Sequence, residues 1–138
     1  MSEEATVQEQ EAPQEQAPNL MALLKEFKGA PDQAQIDAWK QQYGEVFISG
    51  FSEDEVFIWR PICRPEYIEV QTKLQDPKND LNQWDLEELI CDTAVLWKSK
   101  DVDWKTGKAG TPQSLSEQIM SNSNFMSPQA ASMLVAKL

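Results

Sequence analysis

An α+β fold, with a short antiparallel β-hairpin packed among five or six short helices, is what this sequence predicts, and three observations carry that expectation. Two runs rich in β-branched and aromatic residues, 45–51 and 55–60, flank the charged triplet Ser52-Glu53-Asp54, the pattern of a hairpin with a polar tip. Elsewhere apolar residues recur at three- and four-residue spacing in short stretches bounded by Pro, Gly and Asn/Asp/Ser/Thr, as in short amphipathic helices. The first 18 residues carry five Glu, no Lys or Arg, and only Met1 and Val7 as larger aliphatic side chains. That is too little apolar surface to offset the entropy of ordering. The expected organisation is an acidic flexible tail over 1–18, disordered or extended, and one small α+β domain over 19–138.

Asn19 is a good helix cap, and Leu20, Leu23, Leu24 and Phe27 form one apolar face of a helix ending at Gly29. Asp32, with Gln35 at the capping-box position, starts a second helix with Ile36, Trp39 and Tyr43 on one side and Gly44 at its end. In the hairpin, Val46 and Ile48 oppose Phe47 and Phe51, so both faces are apolar. Such a hairpin needs cover on both sides or a further strand at its edge. Arg60-Pro61 ends the second strand, because proline cannot donate to a ladder. Pro65 then suits a first helical turn, with Tyr67, Val70 and Leu74 as the buried stripe. After a loop over 76–80, Asp85 and Glu88 form a capping pair for a helix carrying Leu86, Leu89, Ile90, Thr93, Ala94 and Trp97. Thr111-Pro112 opens a further helix with Leu115, Ile119 and Met120 inward. Ser121–Asn124 breaks it, with Phe125 anchoring the turn. Ser127-Pro128 begins a terminal helix with Met133, Leu134 and Leu138 on one side, too short to persist without docking.

Composition argues against most chemistries. The 138 residues contain no histidine and two cysteines, Cys63 and Cys91, far apart in sequence. General-base, nucleophilic and zinc sites draw on His, or on Cys at ligand spacing. Both thiols are expected to be reduced and buried as packing groups. Glu87 and Glu88 are adjacent, so on a helix they point about 100° apart and cannot converge on one substrate. Asp101-x-Asp103 resembles the start of a calcium loop, but Lys105 and Thr106 stand where a ligand and the turn glycine belong. No metal, cofactor or small-molecule substrate is expected. A formal charge of −11 argues against nucleic acid and anionic membranes. The lysines and Trp104 between Trp97 and Thr111 do not reverse that balance, and Trp104 is expected to tuck onto the core or into a neighbour. No apolar run approaches the roughly 18 residues that span a bilayer. The first twenty residues lack a basic start and an apolar run, so no secretory leader is expected.

The order of segments carries a resemblance. Trp39-x-x-x-Tyr43-Gly44 leads into an aromatic hairpin closing on Phe57-Ile58-Trp59-Arg60-Pro61, followed by Arg64-Pro65-Glu66-Tyr67. Leu86-Glu87-Glu88-Leu89-Ile90 runs into Thr93-Ala94-Val95-Leu96-Trp97, and Ala109-Gly110-Thr111-Pro112 precedes Leu115-Ser116-Glu117-Gln118-Ile119-Met120. Over roughly residues 36 to 125 this resembles small tail-region proteins of tailed bacteriophages, described as tail assembly chaperones or virion structural proteins. It is also similar to small baseplate hub proteins of contractile-tailed phages. Lys98 stands where that pattern often has proline after the tryptophan. The resemblance implies no catalytic residues. It implies a tail or baseplate component or assembly factor that binds other tail or baseplate subunits, in the host cytoplasm during assembly and in the virion if incorporated. The alternative is an acidic inhibitor or adaptor that mimics nucleic-acid charge in a host basic groove. Candidate partner-binding anchors are Leu20, Leu23 and Phe27 on the first helix, Phe47, Phe57 and Trp59 on the hairpin, and Trp104.

Overall fold

The computed structural model describes residues 19–138; the expected acidic tail over 1–18 lies outside the described residues. The described chain is α+β, with six helices and a three-stranded antiparallel sheet. A helical segment over 19–24 (α1) is followed by α2 (Gln33–Tyr43), β1 (Phe47–Ser52), β2 (Glu55–Trp59), α3 (Arg64–Gln75), α4 (Gln83–Ala94), β3 (Val95–Lys98), α5 (Gly110–Asn122) and α6 (Pro128–Ser132). The backbone forms two compact units. One takes in the described residues up to Ile58 together with Leu96–Asp101, the other Trp59–Val95 with Val102–Leu138.

The first unit holds α1, α2 and nearly all of the sheet. Asn19 is already helical, so it is not the cap of α1. The helix loosens after Leu24 into i→i−3 turns that end at Gly29, whose φ of +80° a side chain would resist. In α2, Asp32 Oδ1 accepts the Gln35 N–H at 2.8 Å, and Gly44 at φ +86° closes the helix by donating to the Lys40 carbonyl. The hairpin turns tightly at Glu53-Asp54. Sheet order is β1-β2-β3, so β2 is the middle strand and is buried at all five positions. The further strand that the two-faced hairpin needs is β3. Val95-Leu96-Trp97 therefore does not continue α4 as its spacing suggests. The helix stops at Ala94, and the β-branched and aromatic residues that follow pair with β2. Ser99 fixes that pairing: its N–H donates to the Val56 carbonyl at 2.9 Å, its Oγ accepts the Val56 N–H at 2.8 Å, and the same hydroxyl donates to the Asp54 carbonyl at 2.7 Å.

The second unit is a helical layer in which α4 packs against both α3 and α5. Val70, Ile90, Ala94, Leu115 and Ile119 are buried between them, on the stripes that helical spacing predicts. α4 begins three residues earlier than the Asp85–Glu88 pair suggests. Asn82 is its cap, with Oδ1 accepting the Trp84 N–H, and Asp85 is the third helical residue whose Oδ2 accepts the Asn82 N–H, each at 2.9 Å. Two overlapping capping patterns compete here and the upstream one wins. Asn82→Ala is expected to destabilise the protein by about 1 kcal/mol, read as a lower urea midpoint; an unchanged midpoint would contradict this helix start. α5 likewise starts at Gly110, before the expected Thr111 cap, and buries Thr111 and Pro112 in its first turn. The loop over 76–80 contains a 3₁₀ turn, Pro77–Asn79, ended by Asp80 at φ 49°. Ser127 caps α6 by accepting the Ala130 N–H, but that helix ends at Ser132, so Met133, Leu134 and Leu138 do not share a helical face.

Candidate functional site

Three buried side chains fix what this surface can offer. Phe57 is 0% exposed on β2, and Trp59 and Trp104 are buried as well. These three are core groups, closed off from a docking partner by the chain itself. Phe57 stands edge-to-face with the half-exposed Phe51, ring centroids 5.6 Å apart. Trp104 donates its indole N–H to Asp92 Oδ1 at 2.7 Å, the usual way a buried indole satisfies its polar end. Its neighbour Lys105 pairs with Asp85 at 3.2 Å and Glu88 at 3.0 Å. The Lys- and Trp-bearing loop thus spends its ring and the Lys105 charge on the protein, Lys100 pairs with Asp54 at 3.3 Å, and Trp104 offers no free face for base stacking.

The other candidates lie in the first unit and are half-buried. Leu20 rests on the strand backbone at Gly50, where an added Cβ would lie 2.5 Å from Leu20 Cδ2. Phe27 packs edge-to-face on Trp97 at 5.9 Å. Leu23 borders a shallow opening beside Glu26 and the hairpin tip. Phe47 lines an apolar cleft of about 140 Å³ with Leu24, Ile36, Val46, Ile48 and Ile58, rimmed by Gln33 and Lys40. The cleft exists because α2 buries no residue completely. Phe47, of the hairpin candidates, is the one that keeps an accessible edge.

The most exposed apolar groups are not among the candidate anchors named above, although Met133, Leu134 and Leu138 belong to the terminal segment expected to need docking. Trp84 is 78% exposed in the first turn of α4; it is out of phase with the Leu86-Leu89-Ile90-Thr93 stripe, and that phase was the available signal. Ile68 on α3 is half exposed. Met133, Leu134, Val135 and Leu138, after the end of α6, are almost fully exposed. A second cavity of about 200 Å³ is lined by Ile62, Cys63, Arg64, Tyr67 and residues 123–125. There Phe125 packs on Tyr67 at 4.8 Å, and the Arg64 guanidinium lies 5.7 Å from the same ring.

The titratable groups pair locally. Among the described residues no three His, Cys, Asp or Glu side chains cluster as a metal site. The Ser52 hydroxyl and then Lys100 hold Asp54 below the usual carboxylate range, and the Asn82 N–H followed by Lys105 does the same for Asp85. Cys91 is buried and its thiol is pushed up to about 12, first by desolvation and then by nearby carboxylates. Its Sγ lies 3.6 Å from the Pro112 carbonyl. Cys63, expected to be buried, is exposed instead, because it is the residue that precedes α3. In native protein a thiol reagent is therefore expected to titrate one cysteine per chain, Cys63, and to reach Cys91 only on unfolding. Rapid modification of both would contradict the burial of Cys91. Among the described residues no helix is long and apolar enough to cross a membrane.

Comparison with protein-family models, with curated proteins and with solved structures finds no match to this chain.

Proposed function

We propose that this chain is a non-enzymatic component of a bacteriophage tail or baseplate, or an assembly factor for one, acting through protein–protein contacts. The observation that carries the contact reading is the large apolar side chains left open to solvent: the consecutive Met133, Leu134 and Val135 with Leu138 after α6, and separately Trp84 on α4. Exposed aromatic and aliphatic groups of this size are what docking surfaces use as anchors. The placement in a phage tail rests on the order of sequence segments described above.

Mass spectrometry of purified virions tests the proposal. Presence at a fixed ratio to tail subunits identifies an incorporated component. Absence from virions, with co-purification alongside tail subunits during assembly, identifies an assembly factor. Absence from both refutes the reading.

A further inference from the structure

We propose that this chain self-associates by seating residues 133–138 of one copy in the apolar cleft of the first unit of a second copy, an inference that rests on reading the chain as a contact protein. The donor is unusual for this sequence. From Gln118 to Leu138 there is no Asp or Glu, and Lys137 is the one charged side chain, in a chain whose net charge is −11. Met133, Leu134, Val135 and Leu138 follow a helix of five residues and are open to solvent. Together they expose on the order of 600 Å², against the roughly 800 Å² that each partner buries in a standard interface.

The acceptor is the cleft beside Phe47. An apolar cavity of about 150 Å³ holds a benzene-sized guest, so the cleft of about 140 Å³ takes one Leu- or Met-sized side chain. At its rim Gln33 donates to Asp37 Oδ1 at 2.9 Å, which places a carboxylate near the cleft for Lys137, one helical turn from Lys40 on the same rim. Charge selects this pairing among possible self-contacts. Two bodies of like charge repel, and the segment without acidic side chains is the part that can approach an acidic copy at least cost. Because donor and acceptor are different surfaces, two copies either exchange their segments reciprocally about a two-fold axis or pass them on head to tail in a ring or an open array.

Sedimentation velocity on the full chain over a range of concentrations tests the inference. A weight-average mass that rises above 15.7 kDa with concentration is expected, with tighter association at higher salt as repulsion is screened. Leu134→Asp is expected to raise Kd at least about tenfold while leaving the circular dichroism and melting temperature unchanged, since Leu134 is 79% exposed. A photo-crosslinker at position 134 of an isotopically light copy, mixed with heavy protein, should capture heavy peptides from residues 33–48. A monomer at every concentration, association indifferent to Leu134→Asp, association that weakens with salt, or crosslinks confined to the light chain or to other surfaces would each overturn it. A monomer that is nevertheless found in virions defeats this inference alone. Self-association of a protein absent from virions and from assembly intermediates defeats the phage reading alone.

Discussion

Phe57→Ala is expected to lower stability by about 3–5 kcal/mol. Phe57 lies on the middle strand with no exposed surface, so truncation leaves a cavity that the neighbours on β1 and β3 cannot fill without breaking ladder bonds. Domains of this size are stable by only about 5–15 kcal/mol, and the variant should lose much of its folded population at moderate temperature. Phe51→Ala, which removes the half-exposed partner ring, should cost about 1 kcal/mol. Urea denaturation compares them directly. If Phe57→Ala itself fails to give a folded baseline, Phe57→Leu supplies the measurement at smaller amplitude. Equal losses at the two positions would contradict the placement of β2 at the centre.

Glu66→Gln is expected to cost about 3 kcal/mol at neutral pH, because it leaves the buried Arg60 guanidinium without its counter-charge. Arg60 Nη1 and Nη2 donate to the two Glu66 oxygens at 2.6 and 2.7 Å, and the Cys63 N–H donates to Oε1 at 2.9 Å. The Arg60 hydrogen bonds hold Glu66 down to about 2 from an ordinary 4.5, against a smaller upward push from burial. A carboxylate with a depressed folded value stabilises above its unfolded value and loses that contribution as pH falls through its folded one. The gap between native and Glu66→Gln protein should therefore be full above about pH 4.5 and close progressively toward pH 2. Urea midpoints at several pH values read it; a gap that does not change with pH would show that Glu66 is not held by Arg60.

Much of the fold was legible because its signals are local. Asp32, Gly44, Pro65 and the Leu115–Ile119 spacing each specify a helix end or face within a few residues of themselves. β3 was not legible in that way. Trp97 keeps helical phase with Leu86, Ile90 and Ala94, and what overrides that phase is a partner strand distant in sequence. The same fact governs the candidate anchors. Phe57 and Trp59 read as docking groups in a two-stranded hairpin and as core groups in a covered middle strand, and what decides between them is contact with segments distant in sequence, β3 among them. The exposure of Trp84 was open to the same periodicity argument that found the α4 stripe. Exposure beyond Ser132 was not: Ser127-Pro128 marks where a helix starts, but nothing local marks that it stops after five residues.

The two neighbours of β2 join it on different terms. β1 is connected through the two-residue turn at Glu53-Asp54, whereas β3 arrives only after α3 and α4. A hairpin closes in microseconds, while pairing across a long intervening chain waits on loop closure. β3 is thus expected to lock after the folding barrier is crossed. Ser99→Ala, which removes both hydroxyl bonds to the β1–β2 turn region and to Val56, should move the unfolding arm of a chevron plot and leave the folding arm nearly still. The lifetime of the sheet, as distinct from the ease of making it, is then set by how firmly one serine holds the last strand.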